Sequence, residues 1–116
     1  MTVTEIPTVI LVTDETFDQE VIRSALPVVV DFYADWCGPC RTADPVLEEL
    51  SESLAGRVKF AKVNVDDSDA VTRSFGIHSI PTYLFVERGR EKGREIGALG
   101  GSTEFRSVLR RYFSFA

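Results

Sequence analysis

Apolar positions along this chain switch between short continuous runs and longer stretches of helical spacing. The run over residues 8–12 predicts a short strand. Thr13 or Asp14 then stands as a candidate N-cap for a helix on which Phe17 and Val21 lie one turn apart, and Pro27 closes that stretch. Val28-Val29-Val30-Asp31-Phe32-Tyr33 is nearly continuous in apolar character, the pattern of a strand buried on both faces as in a parallel sheet, with Asp31 its exception. Ala43, Val46, Leu47, Leu50 and Leu54 recur at helical spacing up to Ala55-Gly56, where Gly56 is a candidate cap. Pro45 falls inside this helix and predicts a kink, because it removes one backbone donor.

Residues 58–65 read as a further strand and 68–75 as a short helix stopped by Gly76. The pattern then changes: 82–86 is a strand, Arg88-Gly89 marks a turn, and 91–96 returns as the other arm of a hairpin. A last helix covers 102–113, with Phe105, Val108, Leu109 and Tyr112 on one face and Arg110 and Arg111 in its last turn. Three β-α pairs, a hairpin and a final helix predict an α/β fold with helices on both faces of one central sheet.

Composition adds bounds rather than identity. A chain of 116 residues fits one domain, 1–116, that buries roughly two thirds of the surface its unfolded form exposes. The apolar share is 44% and the charged share 27%, ordinary globular values that argue against disorder. The net charge is −5 and the cationic residues are scattered, which disfavours nucleic acid and anionic membrane surfaces as partners. The apolar runs fall far short of the ~20 residues needed to cross a bilayer. The opening Met1-Thr2-Val3-Thr4-Glu5 lacks the basic and apolar regions of a secretory signal, so the expectation is a soluble cytoplasmic protein.

Only two cysteines are present, so no multi-disulfide framework is available and their role is local. Cys37-Gly38-Pro39-Cys40 follows the predicted buried strand and opens the next helix. That puts Cys37 at a helix N-terminus, where unpaired N–H groups and the dipole favour a thiolate, and makes it the candidate nucleophile. Cys40 lies one turn further in, better shielded, and is suited to resolving a mixed disulfide. Gly38 allows the tight entry, and Pro39 suits a first turn whose N–H would have no partner. A chance buried pair is the bland alternative. Half of a zinc site is the other, but zinc takes four ligands, and the chain offers no second Cys-x-x-Cys and a single histidine, His78. The dithiol reading calls for no cofactor and no metal.

With these residues in view, the chain resembles the thioredoxin family along nearly its whole length. The resemblance is carried by Thr13-Asp14-Glu15-Thr16-Phe17-Asp18, by the run from Val30 through Asp35 to Trp36-Cys37-Gly38-Pro39-Cys40-Arg41, and by Pro45. Further on it is carried by Lys62-Val63-Asn64-Val65-Asp66, by Phe75-Gly76-Ile77-His78-Ser79-Ile80-Pro81-Thr82, and by Gly97-Ala98. It implies a five-stranded mixed sheet flanked by four helices, reduction of disulfide-containing proteins, and re-reduction by an NADPH-dependent thioredoxin reductase; a monomer is expected.

The resemblance also implies roles. Asp31 matches the family's buried aspartate, which helps deprotonate the resolving cysteine through a water, and Lys62 matches its charged neighbour; a purely structural Asp31–Lys62 ion pair is the alternative. A buried carboxylate without a partner raises its own pKa, which suits a proton acceptor. Pro81 is expected to be cis and to face the cysteines, leaving the backbone of Ser79 and Ile80 free to pair with an extended substrate segment. Trp36, Val65, Ile80, Gly97 and Ala98 form a shallow apolar rim by the same likeness. His78 is expected to be an exposed loop residue with no catalytic part.

Three departures stand out: Ser79 where glycine is usual, Tyr33 for a frequent tryptophan, and Asp44 where a small or uncharged residue is the rule. Asp44 follows Cys40 by four residues and Cys37 by seven, so on a continuous helix its carboxylate shares their face and opposes a thiolate. The alternative is that Pro45 turns Asp44 into water. Two rival functions remain at this level, a non-enzymatic module gripping a partner with its apolar rim and a dithiol oxidant; the Gly38-Pro39 pair, by resemblance, argues for the reducing role.

Overall fold

The computed structural model of the chain describes residues 8–114. Strand β1 is Val9–Leu11, β2 Val28–Tyr33, β3 Lys59–Asn64, β4 Thr82–Glu87 and β5 Arg90–Ile96. Four helices accompany them among the described residues: a short wide-turned one at Asp18–Ile22, then α1 (Gly38–Ser53), α2 (Asp69–Ser74) and α3 (Ser102–Tyr112). The sheet order is β1-β3-β2-β4-β5. β1 and β2 run parallel to β3, while β4 is antiparallel to β2 and β5 antiparallel to β4. The fold is therefore the mixed five-stranded α/β arrangement with four flanking helices.

Most expected elements appear within a residue or two of their predicted ends. The first helix is the exception. Residues 13–17 form a turn closed by the Phe17 N–H on the Thr13 carbonyl at 2.9 Å, and the helix proper starts only at Asp18. There the Arg23 N–H reaches back five residues to the Asp18 carbonyl at 2.9 Å, a wider turn than an α-helix makes. Neither Thr13 nor Asp14 caps it. The Asp14 carboxylate instead accepts the Ala70 and Val71 N–H groups at 3.2 and 2.9 Å, so it caps α2 from across the chain. Ser68, at the N-cap position of α2, makes no side-chain cap bond of its own.

Helix ends follow local chemistry. α1 runs without interruption through Pro45 and stops at Ser53, short of the expected Ala55-Gly56. Beyond its last residue, Ser74, α2 is closed off at Gly76 (φ +64°), whose N–H bonds the Arg73 carbonyl at 3.0 Å while the Ile77 N–H bonds that of Thr72 at 3.0 Å. This paired closure needs a left-handed residue, which glycine supplies without strain. The β4–β5 hairpin turns on Arg88 and Gly89, both at positive φ (53° and 76°), the two-residue turn whose twist matches the strands.

The core lies in two halves, one per face of the sheet. Val29, Phe60, Tyr83 and Phe85 pack under α1 and α3 with Leu47, Leu50, Phe105 and Leu109. Val28, Val30, Phe32, Val63 and Leu84 pack on the other face with Phe17, Val21 and Val71. Phe105 anchors the first half, its ring 5.2 Å from Tyr83 in edge-on contact and 6.2 Å from Phe85. With both faces covered, the C-terminal end of β2 delivers the chain to α1 at a fixed position.

Candidate active site

β2 ends at Tyr33, and the Ala34 carbonyl accepts the Cys37 N–H at 3.1 Å, folding the chain back into α1. Cys37 is the N-cap, with extended backbone (φ −87°, ψ 106°), and Pro39 occupies the first turn, where no partner for an N–H exists. Cys37 and Cys40 are joined as a disulfide, their Cα atoms 5.3 Å apart. The Cys40 N–H donates to the Cys37 sulfur at 3.2 Å. Both cysteines are buried with Ala34, against Tyr33, Val65 and Ile80. Gly38 and Pro39 between them are exposed.

Beside the disulfide the Ile80–Pro81 peptide is cis. The Thr82 hydroxyl donates to the Ser79 carbonyl at 2.6 Å, so this part of the Ser79 backbone is engaged rather than free; the Ile80 N–H and carbonyl have no partner among the described residues. The Gly97 N–H donates to the Pro81 carbonyl at 2.8 Å, which holds Gly97 and the exposed Ala98 next to the proline. Trp36 is 69% exposed, its ring fixed by an Nε1–H bond to Asp66 at 2.9 Å. Trp36, Val65, Ser79 and Ile80 line one shallow, mainly apolar groove, joined by Thr72, Ile77 and His78.

Two residues before the end of β2, Asp31 is 1% exposed and neither of its carboxylate oxygens has a hydrogen-bond partner among the described residues. Lys62 on β3 and Tyr83 on β4 are its register partners. Burial pushes the Asp31 carboxyl up to about 7; Lys62 opposes that rise and Asp44 adds to it. Tyr83, buried with its hydroxyl unpaired, is raised as well, first by burial and then by Asp31 and Asp44.

The thioredoxin family model matches residues 8–110. The chain is 45% identical to thioredoxin of Pyropia yezoensis over 89% of its length and 95% of that protein's. It is 44% identical to thioredoxin of Haemophilus influenzae over 78% of its length and 85% of that protein's. Against chloroplastic thioredoxin M-type of Brassica napus the identity is 42%, over 92% of this chain and 59% of the relative. The chain belongs to the thioredoxin family. It is a thiol–disulfide oxidoreductase of that family, a protein-disulfide reductase.

Set beside the family pattern, the structure gathers the expected residues and rearranges one contact. Cys37, Cys40, Trp36, Val65, Ile80 and Pro81 come together at one end of the sheet. The Asp31–Lys62 pair does not form: the Lys62 ammonium bonds Asp44 Oδ1 at 2.8 Å and lies 4.1 Å from the centre of the Tyr33 ring. Asp44 is thus neither an unmatched charge facing the sulfurs nor a side chain turned into water. Asp66, which holds Trp36, and the groove residues Thr72, Ile77 and His78 were not legible beforehand. Only adjacency in the chain to Val65 and to Ser79 could have flagged Asp66 and His78, and nothing flagged Thr72.

Proposed function

We propose that this thioredoxin-family chain reduces protein disulfides with Cys37 as nucleophile, Cys40 as resolving thiol and Asp31 as the acceptor of the Cys40 proton. The position of Cys37 at the N-cap of α1, its sulfur receiving an amide hydrogen, carries this reading. In the reduced protein the same amide and the open first turn favour a thiolate on Cys37. That thiolate attacks one sulfur of the substrate disulfide, forming a mixed disulfide, and the released substrate sulfur takes up a proton. Cys40 gives its proton to Asp31 and attacks the Cys37 sulfur, expelling the second substrate thiolate and leaving Cys37–Cys40 oxidised. Two electrons pass to the substrate. A carboxyl titrating near 7 is ionised in part at neutral pH and still basic enough to take the proton.

The substrate segment docks along the groove beside Trp36, over Gly38 and Pro39, against Val65, Ser79, Ile80 and Pro81, and up to Gly97 and Ala98. The unpartnered Ile80 backbone supports strand-like pairing there. Lys62 contributes by its charge near Asp31. An NADPH-dependent thioredoxin reductase returns the protein to the dithiol form. The chain works as a monomeric, single domain over 1–116 in the cytoplasm, without nucleic acid or membrane. The net charge of −5 weighs against nucleic acid and anionic membrane surfaces as partners, and no helix among the described residues is long and apolar enough to cross a membrane.

Reduction of insulin with dithiothreitol as electron source tests the activity, since a non-enzymatic module has no reason to turn over. Cys37→Ser is expected to abolish turnover, whereas Cys40→Ser attacks once and stays trapped as a mixed disulfide. Trapping by Cys37→Ser and none by Cys40→Ser would reverse the two roles.

A further inference from the structure

The register of the sheet offers Lys62 to Asp31: the two residues face each other across the β2–β3 ladder, and both lie on the α1 side. The ammonium nevertheless goes elsewhere. It donates to Asp44 Oδ1 at 2.8 Å, above the Tyr33 ring at 4.1 Å, while both Asp31 oxygens stay unpartnered. Solvation explains the choice. Asp44 and Lys62 keep 33% and 17% of their side-chain surface exposed, so their pairing leaves each ion partly hydrated. Pairing with Asp31 would take both charges out of water.

We propose that Asp44 is a positioning residue: by detaining Lys62 on α1, with the Tyr33 ring as the floor of its seat, it keeps the lysine off Asp31 and leaves Asp31 a proton acceptor rather than an ion-pair partner. Asp44 and Tyr33 are two of the three places where this sequence departs from the family pattern, and they meet at the same ammonium. The charged and titratable groups around Asp31 are few. Tyr33 comes from β2 itself, Lys62 from β3, Tyr83 from β4, and Asp44 with the two cysteines from α1. The raised Asp31 value agrees with this arrangement, since burial dominates and Asp44 pushes in the same direction. The effect on the reaction rests on the proposed role of Asp31.

The experiment is a carboxyl titration of Asp31 by NMR in the oxidised protein, where the cysteines do not titrate, using protein carrying labelled aspartate. Wild type, Asp44→Ala, Asp44→Asn, Lys62→Met and the Asp44→Ala/Lys62→Met pair are compared. Freed from Asp44, Lys62 turns to Asp31 and lowers its midpoint by about one unit or more, the usual effect of an opposite charge within ~4–6 Å. With Lys62→Met already present, Asp44→Ala shifts the midpoint by less than half as much. Asp44→Asn follows Asp44→Ala in direction and serves if the alanine variant fails to fold. An unmoved midpoint in both Asp44 variants overturns the proposal. So does an equal shift with and without Lys62, which would mean that Asp44 acts only by its own charge. The titration needs no substrate, so a protein that fails to reduce insulin sinks the proposed function without touching this result. Where insulin is reduced, the acid limb of the rate moves down with the midpoint by the same amount, and a stationary limb overturns the link to the reaction.

Discussion

On β2, Val28, Val30 and Phe32 point to one face of the sheet, while Val29 and Asp31 point to the other. The first face, closed by the short helix at Asp18–Ile22 and by α2, buries apolar side chains from Val86 and Leu84 to Ala61 and Val63 and carries the partly exposed Lys59–Glu20 pair at the start of β3. The second face is equally apolar under α3, where the rings of Phe60, Tyr83 and Phe85 surround Phe105 and Phe113 packs on Phe85. Toward α1 it changes: Asp31 and the Tyr83 hydroxyl are buried without partners and Lys62 bends away to Asp44. Apart from the Ser68 hydroxyl at the N-cap of α2, the buried side-chain groups without a partner among the described residues thus lie on this one face, and the rest of the core offsets their cost.

Moving the carboxylate across the sheet is the strongest way to break that contrast. Val30→Asp puts an acid among Phe32, Val63 and Leu84, where the Lys59 ammonium at the start of β3 is already held by Glu20 at 3.0 Å. The expected loss is at least about 4 kcal/mol at neutral pH, much of the total stability of a small domain. Denaturant unfolding at pH 5 and pH 8 checks it: the variant recovers toward pH 5 as the new acid protonates, and a loss under about 2 kcal/mol at pH 8 would contradict a uniformly dry face.

Asp31→Asn removes the contrast from the other side. A carboxyl raised to about 7 in the folded protein from 3.8 binds its proton more tightly folded than unfolded. Its protonated form therefore costs nothing below about pH 4, and stability is lost as pH climbs from there through 7. At about 1.4 kcal/mol per unit, Asp31→Asn gains up to about 4 kcal/mol at pH 8, less what the buried amide itself costs. The advantage closes toward pH 4. Paired unfolding curves across that range decide the matter, and a constant difference would assign the effect to packing instead of titration. The same variant slows the resolving step at neutral pH if Asp31 is the proton acceptor.

The sequence pattern already held the element order, the strand buried on both faces and the helix opening at the cysteines, because each is set by neighbours in the chain. What escaped was decided by residues far apart. Asp14 reads as the cap of the nearest following helix, yet its carboxylate serves Ala70 and Val71. Lys62 reads as the partner of Asp31, yet its long side chain reaches a carboxylate that leaves it partly in water. Spacing on α1 predicts which face Asp44 shares with the cysteines; it carries no information about Lys62, the strand residue that meets it. Trp36 reads as a rim residue and lines the groove, but the Asp66 bond that fixes its ring is a loop contact across 30 positions.

The smallest expected effect bears on whether the two faces are independent. Asp14 ties the turn after β1 to the N-terminus of α2, supplying acceptors to the two amides that a helix leaves unpaired at its second and third positions. Ser68 does not take that role, since its hydroxyl makes no cap bond. Asp14→Ala should therefore cost about 1 kcal/mol, the usual worth of a cap, and Asp14→Asn clearly less. For a domain of this size that lowers the melting temperature by about 4 °C. Amide hydrogen exchange should quicken at Ala70 and Val71 before it does so in β2 or β3, because the lost bonds belong to α2 alone. α2 also carries Thr72 into the groove beside Trp36, so loosening it should weaken the proposed docking of an extended segment there, while the Asp31 titration, governed by the opposite face, stays where it was. A shifted Asp31 midpoint in Asp14→Ala would show that the two faces are coupled through the sheet, and an unchanged exchange rate at Ala70 and Val71 would show that Asp14 is no cap at all.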